Sequence, residues 1–320
     1  MRHRSTLALL SLLSLLLAAA PAAQACGACG CTLNSDWASQ GYALQPGFRF
    51  DLRYDYFNQD QLRSGTKSVD RGTFSFPNDQ EIQEKTINRN LTATLDYTPS
   101  PDWGVTLLVP VFNRYHATTA AGDTNPSFSQ ANGLGDLRLL GRFQGFTDDH
   151  SFGVQFGVKL PTGGTKQTFN AGAEVGMPVD AGLQLGTGTT DVLLGFYAFG
   201  DLGMDWGCFG QVLVQKPLAE KNGFKPGDGV NANFGVRYTG FASITPHLQV
   251  NVRAEGRESG VNADVDNSGA TLAYLSPGLT FNVSQKFQVY VFGQVPLAQR
   301  VNGLQLEPKW SASVGMHWTF

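Results

Sequence analysis

The residues best equipped for chemistry are three thiols near the start of the chain. Cys26, Cys29 and Cys31 are spaced C-x-x-C-x-C. In an oxidising compartment such a trio has three readings. One is a local disulfide with a spare thiol. Another is a soft-metal site for Cu(I) or Zn, completed by the free amine or a further ligand. The third is lipidation of Cys26 with a strained bridge between Cys29 and Cys31. No histidine follows the C-x-x-C, which excludes c-type haem attachment. Cys208 stands alone in an alternating stretch and reads as a small apolar side chain.

Other reactive types are sparse. The histidines are His3, His116, His150, His247 and His317. His150 and His247 fall in or beside short turns, and His116 alone falls near a long connection. Nothing in the sequence pairs it with a nucleophile, so no catalytic residue is assigned and an enzyme is not expected. Asp264-Val265-Asp266-Asn267-Ser268-Gly269 resembles the start of a calcium loop, but Leu275 stands where a bidentate Glu is required. It reads as a turn. Gly163-Gly164 and Gly186-x-Gly188 precede no helix and cannot cradle a phosphate as helix-capping loops do.

Charge is the third chemical resource, and it is patterned. Arg49, Asp51, Arg53 and Asp55 alternate with Phe48, Phe50, Leu52, Tyr54 and Tyr56. A strand sends successive side chains to opposite faces, so one face is ionic and the other aromatic. The same alternation puts Arg114, Arg138, Arg142, Lys159 and Arg237 on polar faces. It does so again for Asn251, Arg253, Glu255, Arg257 and His317. Two readings are open. The charges pair with one another across a narrow interior, or they line a polar conduit whose cationic excess favours anionic or electron-rich solutes.

These residues need strands to position them, and the last segment shows the strand pattern best. From Trp310 to Phe320, Trp310, Ala312, Val314, Met316, Trp318 and Phe320 share one face. The two tryptophans are about 26 Å apart along a strand, near the edges of an apolar membrane band roughly 25 Å tall when the strand tilts. A terminal Phe closing such a strand, with Trp318, resembles the signal read by the bacterial barrel-assembly machinery.

Further strands are expected near residues 86–97, 103–116, 136–146, 151–161, 189–200, 205–216, 229–240, 247–257, 270–283 and 287–298. Short turns alternate with long connections throughout. That asymmetry, with both ends on one side, is the pattern of bacterial outer-membrane barrels. Lipid tolerates no open sheet edge, so the sheet must close. The expected fold is all-β: a closed, antiparallel, up-and-down transmembrane β-barrel of about twelve strands, within a range of ten to fourteen. The stretch 189–200 is weak, because Leu193, Leu194, Phe196, Tyr197 and Phe199 occupy both faces.

The organisation follows. Residues 1–25 read as a cleavable signal peptide: Arg2 and Arg4, a Leu/Ala run, Pro21, then Ala23-Gln24-Ala25. The run is too short for a membrane helix. The three residues before Cys26 lack the Leu usual in lipoproteins. Residues 26–46 form a periplasmic segment with the cysteines, or a tail tucked into the barrel mouth. Residues 47–320 form the barrel, placed in the outer membrane. Formal net charge is −3 and no basic stretch suggests nucleic acid.

Two stretches carry a family resemblance. Gly133-Leu134-Gly135-Asp136 through Arg142, then Val158-Lys159-Leu160-Pro161-Thr162-Gly163, resembles the "G-x-GD-x-x-x-x-x-R … K-L-P-T-G" core of the MetA-pathway phenol-degradation family of outer-membrane proteins. Leu185 to Asp191 resembles its next element. The match spans roughly residues 130–200. It implies passage of small, often hydrophobic or aromatic compounds.

The leading expectation is therefore a passive outer-membrane channel or transporter for small molecules. Its partners would be outer-membrane lipid, the assembly machinery and the solute, and it would need no cofactor. Long connections around Phe74, Phe76, Phe169 and Met177 would offer an apolar approach. Two alternatives are a metal-binding or metal-export component using Cys26, Cys29 and Cys31, and a closed structural or adhesive barrel.

Overall fold

The computed structural model describes Leu33 and residues 36–320. The strands are β1 (Gly47–Gly65), β2 (Lys67–Ser68), β3 (Ile82–Ser100), β4 (Trp103–Thr119), β5 (Ser127–Leu134), β6 (Leu137–Phe143) and β7 (Phe152–Leu160). They continue with β8 (Ala171–Gly172), β9 (Asp191–Gly203), β10 (Trp206–Pro217), β11 (Gly229–Tyr238), β12 (Ile244–Glu255), β13 (Ala270–Asn282) and β14 (Phe287–Thr319). Among the described residues, helix is confined to short turns at Ala38–Tyr42, Arg71–Thr73 and Ala181–Leu183. Among the described residues no helix is long and apolar enough to cross a membrane.

Pairing closes the sheet. The ring runs β1, β3, β4, β6, β7, β9, β10, β11, β12, β13, β14 and back to β1, every contact antiparallel. β2, β5 and β8 lie off the ring. β14 has 33 residues, about 110 Å if extended. Its first half pairs with β13, ending at Ala270↔Val301, and its second half pairs with β1, from Gly65↔Val301 to Arg49↔Thr319. It therefore ascends and returns, so eleven strands make twelve crossings.

The two faces are sorted inversely to those of a water-soluble protein. Leu194, Phe156, Val105 and Trp103 face outward and are exposed. Asn251, Ser276, Gln249 and Gln294 face inward and are buried. Leu194 is 57% exposed and Asn251 is 0% exposed. Buried polar groups need hydrogen-bond partners, and exposed apolar belts need hydrocarbon, so the arrangement suits lipid outside and a hydrated interior. Aromatic rings mark the edges of the belt. Phe48 stacks on Tyr97 at 4.4 Å and Phe287 on Trp318 at 4.7 Å, while Tyr56 meets Trp310 at 5.7 Å at the other edge.

The weak stretch at 189–200 is a regular strand, β9. Leu193, Tyr197 and Phe199 point inward because the interior there is packed rather than wet. Tyr197 donates to Gln144 Oε1 at 2.6 Å, and the Phe199 ring lies against Gly41. The expected long connection at 117–135 contains β5. Its outward residues Gln130 and Asn132 are polar because β5 pairs with the distal part of β4, away from the lipid belt. Alternation of apolar and polar residues is lost there, and with it the sequence signal.

Replacing Leu194 with Arg puts a cation into the lipid belt. We expect a loss of about 2–4 kcal/mol if the site lies near the bilayer midplane, measured by reversible urea unfolding in vesicles. An unchanged midpoint would contradict the assignment of faces.

Candidate functional site

The interior holds the ionic residues, and it pairs them. Arg49 Nη1 lies 3.2 Å from Asp96 Oδ1, and Arg142 bonds both oxygens of the same carboxylate. Thr98 and Thr106 complete that knot. Arg53 Nε meets Asp55 at 2.9 Å, and Arg253 Nε meets Glu255 at 2.9 Å. Lys159 Nζ sits 2.7 Å from Asp136 and 3.3 Å from Asp191. Asp51 is held by Trp37 and Tyr290. Arg138 occupies the same face of β6 as Arg142, in register with Lys159. Each cation beside a carboxylate loses much of its long-range field, which weakens the pull that Arg49, Arg53, Arg142, Lys159 and Arg253 would exert on anionic solutes.

Arg257 departs from the expected interior set. β12 ends at Glu255, Gly256 turns away by donating to Asp228 O, and the Arg257 guanidinium is exposed. It donates to the carbonyls of Val265 and Asp266 in the adjoining connection. Alternation was extended two residues past the strand end.

A second group of residues enters the barrel without belonging to its wall. From Gly47 the chain runs back into the interior through Tyr42, Gln40 and Trp37 to Leu33. Arg237 Nη1 donates to Gln40 O at 2.7 Å and its guanidinium lies 4.6 Å from the Tyr42 ring. Arg49 donates to Tyr42 O at 3.1 Å. Gln155 and Gln211, on opposite sides of β9, both donate to Asp36 Oδ2. Burial pushes the Asp36 carboxyl above the usual range, against the amide of Gln155, which lowers it. Trp37 is buried, donates to Asp51 Oδ2 at 2.9 Å, and meets Tyr290 edge-on at 4.9 Å. The partners thus come from β1, β7, β10, β11 and β14, with Phe199 of β9 against Gly41 and His247 of β12 6.3 Å from the Trp37 ring. The segment spans the cross-section at the end where β1 begins and β14 finishes.

The other end is narrowed by the 162–190 connection. Arg114 Nη1 donates to Leu183 O at 2.7 Å and Gln184 O at 3.1 Å, drawing the turn Ala181–Leu183 over the opening. Asp136 fixes the base of this connection, accepting from Gly163 N and Thr187 N at 3.0 Å each and from Lys159. Gly163 and Gly186 touch backbone to backbone: a Cβ on Gly186 would lie 2.5 Å from Asp136 Oδ1. The Gly-Asp, Lys-Leu-Pro-Thr-Gly and Gly-Thr-Gly-Thr-Thr-Asp stretches are therefore one latch. The carboxyl of Asp180, on the cavity beneath, is raised by burial and by the charges of Glu81, Asp264 and Glu258.

The remaining candidates are placed as follows. Cys26, Cys29 and Cys31 lie outside the described residues. Cys208 is half-buried on the outward face of β10. His116 bonds Thr86 Oγ1 at 2.8 Å with Glu81 at 4.0 Å, all on the inner side. Phe169 and Phe74 are packed into loop cores rather than free, whereas Phe76 and Met177 are exposed. Trp318 stacks on Phe287, and Phe320 N donates to Phe48 O at 3.0 Å. His317 lies inward, 5.7 Å from the Trp37 ring. The inserted Trp37 had no strand-like signal in the sequence; the only trace was an aromatic residue in a stretch with nothing to pack against.

No family model matches the sequence, and no curated protein matches it. Among solved structures, an outer membrane channel from Pseudomonas putida F1 superposes with a TM-score of 0.58 at 13% identity. The match covers 88% of this chain and 98% of that one. The chain has the fold of an outer-membrane barrel. The beta domain of a Bordetella autotransporter matches less well, with a TM-score of 0.49 at 13% identity, covering 86% of this chain and 100% of that one. The toluene transporter of Ralstonia pickettii gives 0.46 at 10% identity, covering 92% and 97%.

Asp136→Asn removes the charge that holds Lys159 and weakens the acceptor for two backbone N–H groups. Breaking a buried ion pair costs about 3–5 kcal/mol. The 162–188 connection should then be cut by protease at least tenfold faster, with the barrel itself intact on heat-modified gels. Equal cutting rates would mean that the latch does not hold the connection.

Proposed function

We propose that this chain is an outer-membrane channel for small hydrophobic or aromatic molecules, closed in this structure by its own N-terminal segment. One observation carries the reading. The ring of strands encloses a largely polar interior, and two elements that lie across it, Trp37 with its neighbours at one end and the Ala181–Leu183 turn at the other, are not part of the wall. The fold shared with the Pseudomonas putida channel supports it. The pairing of Arg49, Arg53, Arg142, Lys159 and Arg253 with carboxylates weakens the field that would attract an ion, which favours uncharged cargo. In this reading the belt of Leu194, Phe156 and Trp103 meets outer-membrane lipid. The strand ending at Trp318 and Phe320 is the one presented to the barrel-assembly machinery.

A closed structural barrel is the second reading, favoured by the same paired charges and by the inserted segment. Planar-bilayer recording separates the two. The full chain should conduct rarely. Removing residues 33–43, or replacing Trp37 with Ala, should raise the open fraction at least tenfold. Truncating a buried Trp forfeits about 3–5 kcal/mol of packing, enough to undock the segment. Absence of current and of solute flux in liposomes from all three proteins would refute the channel.

A further inference from the structure

We propose that the aromatic cage around Trp37 is a cargo site, and that the indole of Trp37 occupies it as a built-in stand-in for a planar aromatic ligand bearing one N–H or O–H donor. This rests on the channel reading and names the ligand class that the interior selects.

The cage is made by the wall. Tyr290 and Phe292 on β14, His247 on β12, His317 at the end of β14 and Asp51 on β1 all point inward. Tyr290 lies 4.9 Å and His317 5.7 Å from the indole, and Phe292 belongs to the same buried cluster. Tilted and edge-on approaches of this kind select an aromatic ring over a saturated one. Elsewhere the inner wall mixes amides and hydroxyls, such as Gln249, Asn251, Ser276 and Gln294, with rings such as Tyr197 and Phe209. Around Trp37 the rings of Tyr290, Phe292, His247 and His317 gather at one place, which closure of the barrel does not require.

Polarity at the cage fixes the ligand further. Asp51 Oδ2 accepts the indole N–H at 2.9 Å, while its other oxygen accepts from Tyr290 O–H at 2.9 Å. A hydrogen bond to a buried carboxylate is a strong one, and leaving that acceptor empty is costly. A ligand replacing Trp37 must therefore bring a donor. An anionic ligand would face Asp51 and is disfavoured.

One further observation bears on a ligand. His247 Nδ1 is buried without a hydrogen-bond partner among the described residues, while His317 Nδ1 lies 3.8 Å from Asp51 Oδ2. A buried polar atom without a partner is rare in finished interiors, and a polar guest would satisfy it. The cavity beside the indole, lined by Trp37, Asp51, Thr94, Thr106 and His317 among others, is about 20 Å³, so a guest must displace the indole rather than bind beside it. Trp37 itself comes from outside the wall, through a segment held largely by side-chain contacts. A guest that matched its indole would compete with it for the cage and release the segment.

The test uses the full chain, labelled with 5-fluorotryptophan and inserted in liposomes, with the Trp37 resonance assigned by Trp37→Phe. Indole and indane, which share a shape but differ in the N–H, are titrated in turn. The expected result is a saturable shift of the Trp37 signal to its solvent-exposed position. Indole should act at a concentration at least tenfold lower than indane, and Asp51→Asn should reduce that advantage below threefold. No shift up to the solubility limit of indole, or equal potency of indane, would overturn the proposal. Solute flux is read separately on the same liposomes. A chain that conducts once residues 33–43 are removed yet fails the titration refutes the cage alone. A chain that passes the titration yet never conducts retains the cage and loses the channel.

Discussion

The hydrogen bonds joining β1 to β3 on one side and to the returning half of β14 on the other make the sheet a ring, and the rest of the molecule depends on that closure. A twelve-crossing sheet with a free edge would carry a row of unpaired N–H and C=O groups into hydrocarbon, at several kcal/mol each. Closure removes the edge. It also sets the side-chain problem, because every strand must then present one face to lipid and the other to an enclosed space.

The enclosed space explains the paired charges. Arg49, Arg142 and Asp96 meet across β1, β3 and β6, and Lys159 meets Asp136 and Asp191 across the β5–β6 break, β7 and β9. An uncompensated charge in a narrow interior would pay a desolvation cost that water in bulk does not impose. The inserted Trp37 segment follows the same logic. Its carbonyls and the Asp36 carboxylate meet donors on the wall, and its Trp37 ring meets the wall's aromatic patch. A polar interior can receive a peptide only if both sides satisfy their hydrogen bonds, and here residues from β1, β7, β10 and β11 do so.

Much of the barrel was legible because alternation with a period of two is imposed by the fold itself. Trp310 to Phe320 and Phe48 to Tyr56 read cleanly since one side meets lipid and the other polar groups. The signal failed wherever that contrast failed. At β9, Leu193 and Tyr197 are apolar on the inner face because a packed interior accepts them. At β5, Gln130 and Asn132 are polar on the outer face because that strand lies beyond the lipid belt. At Arg257 the alternation ran on past the last paired residue. The candidate site was less legible still. The charged residues could be put on the inner face, but which charges met depended on register between strands, which sequence does not print. Trp37 entered from a stretch without period, and its cage joined residues 51, 247, 290 and 317 from distant parts of the chain.

Even-numbered positions of β9 meet hydrocarbon and odd-numbered ones do not, and the sorting of the whole barrel follows the same rule. Spin labels placed singly from Val192 to Ala198, in the protein inserted in liposomes, measure it through collisions with oxygen, which concentrates in lipid, and with a water-soluble nickel chelate. The account predicts high oxygen contact at 192, 194, 196 and 198, with low contact to both reagents at 193, 195 and 197. Nickel contact at the even positions, or loss of the two-residue period, would contradict it.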